Sequence, residues 1–256
     1  MTGRLYLVPN TLDFGVVMAE SAPDLREVLP QHVIEVAARL AFWVAEDARS
    51  TRAFLKRVAV IVPLALPLQE IRIEELPRRA KGGARPAAEP SHAPLLRPAL
   101  DGGHDIGLIS EAGMPAIADP GAALVNAAHA AGVTVVPLSG PNSLMLALAA
   151  SGFNGQSFAF VGYLPVDAAE RAVRLKEMEA VSRRQAQTQL IIETPYRNEV
   201  LLAGLLAALN GATRLSVSCG LTLPGGWTRS ASIAQWRSAP QAIPKDMPAV
   251  FCLLAS

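Results

Sequence analysis

Residues 105–121 read DIGLISEAGMPAIADPG, a short apolar run followed by a stretch punctuated by Gly113, Pro115, Pro120 and Gly121. The run Asp105–Ser110 suits a strand buried on both faces, and the glycines and prolines after it predict a loop of fixed shape. Ala122–Ala131 then carries Leu124, Val125 and Ala128 at helical spacing, and Val133–Leu138 returns as a second apolar run. Strand, loop, helix and strand make a crossover unit, which implies parallel strands. Within the loop, Gly113 lets a ligand approach the backbone, Pro115 and Pro120 fix the turns, and Asp119 stands where a helix N-cap belongs. Open α/β sheets bind ligands at such loops, beyond the carboxyl ends of their strands.

The same alternation extends outward on both sides. Arg4–Val8, Phe42–Ala45 and Ile71–Leu76 are further strand-like runs, and Gln31–Leu40 places Val33, Val36, Ala37 and Leu40 on one helical face. Residues 1–152 are therefore expected to form an open parallel sheet with flanking helices. A second loop, LSGPNS at Leu138–Ser143, leads into the apolar helix Leu144–Ala150. Ser139, Asn142 or Ser143 suits a cap there, and the same amides and hydroxyls suit a carboxylate or an adenosine group. Neither loop is a Walker A loop or a GxGxxG fingerprint, which disfavours ATP and NAD. Past residue 152 the runs Ser157–Leu164, Thr188–Glu193, Leu215–Leu221, Thr228–Ile233 and Ala249–Leu254 predict strands, with helices at Ala168–Ser182 and Arg197–Leu209. Residues 153–256 thus read as a second, mixed-sheet α/β domain.

Composition narrows the function classes. The chain has 256 residues, 51% of them apolar, with 23 basic and 22 acidic side chains and a formal charge of +1. Disorder as the main state is excluded, and so is a surface that is basic all round, as indiscriminate nucleic-acid binding requires. A local basic patch is still compatible, and Arg78–Pro94, RRAKGGARPAAEPSHAP, is expected to form a mobile basic loop, either a solubilising insertion with no partner or one in which Arg79 and Lys81 are candidate contacts to a phosphate backbone. Cys219 and Cys252 lie in apolar runs without metal-ligand spacing, so buried free thiols and no metal site are expected. The longest apolar stretch, Val58–Leu68, is interrupted by Pro63 and Pro67 and is far short of the roughly 20 residues that span a bilayer. The start MTGRLYLVPN has no signal-peptide pattern, so the expected location is the cytoplasm.

Glu46, Asp47 and Arg49, at the end of the second strand, are the candidate catalytic groups: a carboxylate to take a proton and a guanidinium to hold phosphate or carboxylate. A helix start capped by Asp47 explains the same residues structurally. The four histidines lack partners at catalytic spacing, the charges Glu170, Arg171, Arg174, Lys176, Glu177 and Glu179 read as a solvated helix face, and Trp43, Trp227 and Trp236 read as packing anchors.

Several segments together carry a family resemblance. Gly107–Phe153, GLISEAGMPAIADPGAALVNAAHAAGVTVVPLSGPNSLMLALAASGF, resembles the signature region of the S-adenosylmethionine-dependent tetrapyrrole-methylase superfamily, in its ribosomal RNA small-subunit methyltransferase I branch. GRLYLVP resembles that branch's first strand, VAEDARSTRAFLKR its AEDTRxT segment, and FVGYLP and IIETPYR two later segments. The resemblance covers most of the chain. It implies two domains with S-adenosylmethionine in the cleft between them, a homodimer and no metal. Carried over by position, it makes Pro9, Ser110, Glu111, Ala112, Gly113, Pro115, Ser143, Leu144 and Thr194 cofactor contacts. Glu193 and Arg197 then face the same cleft, with Arg197 toward substrate.

The chain departs from that pattern at PNTLDFG, where the family has PTPIGNL, at Glu111 for the usual Asp, at Met114 for the usual Thr, and at Lys245–Pro248 for a K-G-E segment. The implied activity is methyl transfer to ribosomal RNA, at a ribose or a base. A tetrapyrrole or other small-molecule acceptor is the alternative, as is a module that binds the cofactor without turnover. Methyl transfer is an in-line displacement that needs the acceptor atom about 3–3.5 Å from the methyl carbon.

Overall fold

The computed structural model describes residues 2–13, 24–77 and 92–255. Phe14 and Gly15 of the PNTLDFG stretch, and residues 78–91 of the basic loop with Arg79 and Lys81, lie outside them. The chain forms two compact units, Met1–Pro141 and Asn142–Ser256.

In the first unit, the strands β1 (Arg4–Leu7), β2 (Phe42–Ala45), β3 (Arg72–Glu75), β4 (Ile106–Ile109) and β5 (Thr134–Pro137) form one sheet in the order β3-β2-β4-β1-β5. Every pairing in it is parallel. The helices α1 (Gln31–Arg39), α2 (Ala48–Ile61), α3 (Arg97–Gly102) and α4 (Ala122–Ala130) make the connections. Side-chain period 2 divides the strands between two cores. Tyr6, Val8, Trp43, Ala45 and Ile109 pack with α1 and α2, while Leu5, Val44, Ile106 and Leu108 pack with α3 and α4. Right-handed crossovers explain the division, because β1 to β2 to β3 runs toward one edge of the sheet and β3 to β4 to β5 toward the other. The neighbours β2 and β4, with Ala45 opposite Ile109, therefore send their chains in opposite directions.

The second unit is a mixed sheet, as expected. Its strands β6 (Phe158–Gly162), β7 (Thr188–Ile192), β8 (Arg214–Cys219), β9 (Trp227–Ser232) and β10 (Ala249–Leu254) lie in the order β6-β7-β10-β8-β9. Only β6 and β7 pair in parallel. Helices α6 (Ala168–Gln185), α7 (Asn198–Ala208) and α8 (Ile233–Ser238) cover one face around Trp236 and Phe251. On the other face lies α5 (Ser143–Ser151), whose Leu144, Ala147 and Leu148 meet Leu190, Val250 and Cys252. This helix places the division between units at residues 141 and 142, ahead of the 152/153 boundary expected from the sequence, because its apolar face packs on the second sheet.

The solvated face expected on α6 is only partly solvated. Arg171 is buried, its Nη1 donating to the carbonyls of Pro165 (3.1 Å) and Val166 (2.8 Å). Glu179 accepts from the Asn210 amide (2.8 Å) and from the Thr213 hydroxyl. Both side chains hold loops against the helix, a job that local charge patterning does not reveal. Trp43 and Trp236 are packing anchors, buried, with their indole N–H groups donating to the carbonyls of Leu40 (3.1 Å) and Leu215 (2.9 Å). Cys219 and Cys252 are free and buried. Among the described residues no helix is long and apolar enough to cross a membrane, and no cluster of metal-ligating side chains occurs.

Gly107, in the middle of β4, lies under the Trp43 ring: a Cβ there would stand 2.7 Å from Cε3 and 2.8 Å from Cζ3. Overpacking of this kind costs about 1–3 kcal/mol. Gly107→Ala is expected to lower unfolding stability by that amount in urea titration, with the slope unchanged.

Candidate active site

The opposed exits of β2 and β4 define the point where an open parallel sheet forms its ligand crevice. At this end of the first sheet the chain leaves β1 through Val8–Asp13, β2 through Glu46–Asp47, β4 through Ser110–Gly121 and β5 through Leu138–Pro141.

The loops after β1 and β4 are joined to each other. Asn10 and Gly113 form an isolated antiparallel bridge, with Asn10 N donating to Gly113 O at 2.9 Å and Gly113 N to Thr11 O at 3.2 Å. The Asn10 side chain adds two bonds, Nδ2 donating to Ser110 O (3.3 Å) and Glu111 O (2.9 Å). Glu46, from β2, accepts the Glu111 amide at Oε2 (3.2 Å). Glu111 is thus held through its backbone N–H by one strand's loop and through its backbone carbonyl by another's. Behind the β1 loop, Arg57 of α2 donates to Thr11 Oγ1 (3.2 Å) and to the buried carboxylate of Asp13 (2.9 Å).

Gly113 has φ +66°, and a Cβ added to it would stand 3.0 Å from Leu12 and 3.4 Å from the Pro141 carbonyl. The backbone conformation and these close neighbours both favour glycine here. Ala116 (φ +66°) and Ala118 (φ +64°) also adopt left-handed conformations, each costing about 1–2 kcal/mol for a residue with a Cβ. Strain of this kind collects where a fixed loop shape serves a site.

Asp119 does not cap α4. The N-cap is Gly121, with φ +132° and no side-chain bond. Burial, then the nearby charges of Glu46 and Glu111, push the Asp119 carboxyl up to about 7. Asp47 is the N-cap of α2, its Oδ1 accepting the Ser50 amide at 2.7 Å and its carbonyl accepting the hydroxyls of Ser50 (3.0 Å) and Thr51 (2.8 Å). Its carboxylate is engaged in structure, whereas Glu46 points to the signature loop and Arg49 is exposed. Pro9, Ala112 and Pro115 are buried, and the Ser110 hydroxyl is buried without a hydrogen-bond partner.

In the second unit, Asn142 caps α5 by accepting the Met145 amide at 3.1 Å. It is the one of three candidate caps that the geometry selects. Ser143 is half-buried and Leu144 is buried in the core beneath the helix. Beyond β7, the buried Glu193 pairs with Arg197 (3.1 Å) and accepts the amide (2.9 Å) and hydroxyl (3.3 Å) of Thr194. Asn10 and Arg57 were not among the sequence candidates. The signal available for Asn10 was its place at the carboxyl end of a parallel strand, where polar side chains serve neighbouring loops.

A parallel-sheet unit followed by a mixed-sheet unit is the fold of two-domain methyltransferases. Over 99% of its length the chain superposes on 93% of the uroporphyrin-III-C-methyltransferase from Thermus thermophilus (TM-score 0.52, 18% identity). Over 100% of its length it superposes on 95% of the methyltransferase CobJ (TM-score 0.55, 14% identity). Residues 33–233 match the family described as Tetrapyrrole (Corrin/Porphyrin) Methylases, and the chain belongs to that family.

Similar proteins include the Ribosomal RNA small subunit methyltransferase I of Pseudomonas aeruginosa, 31% identical over 86% of this chain and 70% of that protein. The protein of the same name from Mesorhizobium japonicum is 39% identical over 50% of this chain. The alignment spans 42% of that relative's own length.

The raised Asp119 carboxyl makes stability depend on pH. An acid whose folded value lies above its unfolded one binds an extra proton in the folded state between the two, so stability present at low pH is lost as pH rises. The window runs from the ordinary carboxyl value of 3.8 to about 7. Thermal melts of the wild type are expected to fall across that window relative to Asp119→Asn, which lacks the titration. Parallel melting curves for the two proteins would contradict the burial of this group.

Proposed function

We propose that the chain is an S-adenosylmethionine-dependent methyltransferase whose acceptor is ribosomal RNA. The observation that carries this reading is the interlocked pair of loops at the β2/β4 switch point, within a chain that belongs to a family of methylases. The donor chemistry fits what is present. S-adenosylmethionine carries a sulfonium and an ammonium against one carboxylate, and the crevice end of the sheet carries Glu46, Glu111 and Asp119, so a cationic ligand is attracted there. When bound, this cofactor supplies an electrophilic methyl group.

Pro9 and the loop Ser110, Glu111, Ala112, Gly113 and Pro115 are the contacts we assign in the first unit. In the second unit we assign Ser143, Leu144 and Thr194. A methyl donor needs no activation by the protein, so holding and orienting it is most of the catalysis. If the acceptor is a ribose hydroxyl, its proton must leave, and Glu46 is the carboxylate we assign to accept it, since Asp47 is committed to its cap. Arg49, exposed at the start of α2, and Arg197 are assigned to the phosphate groups of the acceptor, with Arg79 and Lys81. Two chains joined as a homodimer in the cytoplasm complete the proposal.

The similarity to the Ribosomal RNA small subunit methyltransferase I of Pseudomonas aeruginosa supports RNA over a tetrapyrrole as acceptor. Two measurements test this. Isothermal titration with S-adenosylmethionine is expected to show saturable binding, and its absence would overturn the cofactor assignment. Methyl transfer from labelled cofactor to small ribosomal subunits isolated from cells lacking this protein is expected to label the RNA. Labelling of an added tetrapyrrole instead would replace the acceptor.

A further inference from the structure

The Asn10 amide occupies a position that the proposed chemistry does not itself explain. It is buried, between the end of β1 and the loop after β4, and it touches two consecutive carbonyls about one hundred residues away in sequence. Its orientation is fixed. Oδ1 accepts the Thr11 amide at 2.9 Å, which leaves Nδ2 facing the Ser110 and Glu111 carbonyls; the flipped amide would set oxygen against oxygen. With the Glu111 N–H on Glu46, the first peptides of the SEAG turn have a single allowed orientation.

We infer that Asn10 is a positioning residue for the methyl donor: its carboxamide holds the Ser110 and Glu111 peptides in the orientation that binds the cofactor. The inference rests on the proposed function for its ligand, S-adenosylmethionine, and on the bridge itself for its geometry. Asn10 acts through the loop rather than on the reacting atoms. Thr11 and Asp13, held by Arg57, keep the β1 loop in place so that the amide does not move with the loop it orients.

Asn10→Asp keeps the shape and removes the donor. It turns a negative oxygen toward two carbonyls, in a neighbourhood that already holds Glu46, Glu111 and Asp119, with Asp13 and Arg57 behind it. At pH 8 the variant is expected to bind S-adenosylmethionine about 10- to 100-fold more weakly than wild type, the range set by losing a buried donor. Lowering the pH protonates the new carboxyl and restores an O–H donor. The deficit, taken against wild type at each pH because Asp119 also titrates, is therefore expected to shrink toward pH 5.

A deficit that stays constant from pH 8 to pH 5, or unchanged affinity, overturns the inference. Hydrogen exchange of the Glu111 and Gly113 amides in the free protein gives a second readout, expected to be faster in Asn10→Asp. If wild type fails to bind the cofactor, the functional assignment falls, while the exchange rates still decide the positioning role: unchanged rates overturn it. If Asn10→Asp does not fold, Asn10→Ser, whose hydroxyl keeps one donor, replaces it. Faster exchange and a smaller loss of affinity are expected for that variant, and wild-type values for both overturn the inference.

Discussion

Glu111 is gripped from two sides, by the Glu46 carboxylate at its backbone N–H and by the Asn10 amide at its backbone carbonyl. The geometry of the whole crevice end of the first sheet depends on that grip. A loop with two alanines at positive φ does not hold its shape through backbone preference. Each left-handed alanine favours relaxation, and bonds from neighbouring strands oppose it. The parallel sheet provides those bonds because β2, β4 and β1 are adjacent in it, so the side chains just past their ends converge on one turn.

The same convergence explains the electrostatics. Glu46 is drawn toward the signature loop to satisfy a backbone N–H, which brings its charge near Glu111 and Asp119 and helps keep Asp119 protonated. On the proposed function, this acidic end suits the cationic methyl donor better than a phosphate-bearing acceptor.

The strands were legible because buried parallel strands are continuous apolar runs, as at Ile106–Ile109, and the helices because their periodicity is local. The mixed character of the second sheet was legible from strands that succeed each other without long helices. What a local pattern does not carry is the partner. Helix α5 reads as an apolar helix after a cap, and nothing in its own residues says which sheet it covers. Asp119 precedes a proline and a glycine and so resembles a cap, yet Gly121 takes that position. Arg171 and Glu179 lie among charges on a helix and look solvated, but each satisfies loop groups at the other end of a packing contact. The partners of Asn10 were hidden for the same reason, since both of its carbonyl contacts come from the far side of the unit's sequence.

Gly140 follows β5 and lies against Pro9, so close that a Cβ at position 140 would overlap the proline ring. The two positions belong to different loops and are distant in sequence, but they share one volume. In any lineage carrying this packing, the residue at 140 is free to grow only after the residue at 9 has shrunk. A substitution at either position is therefore constrained by the residue at the other.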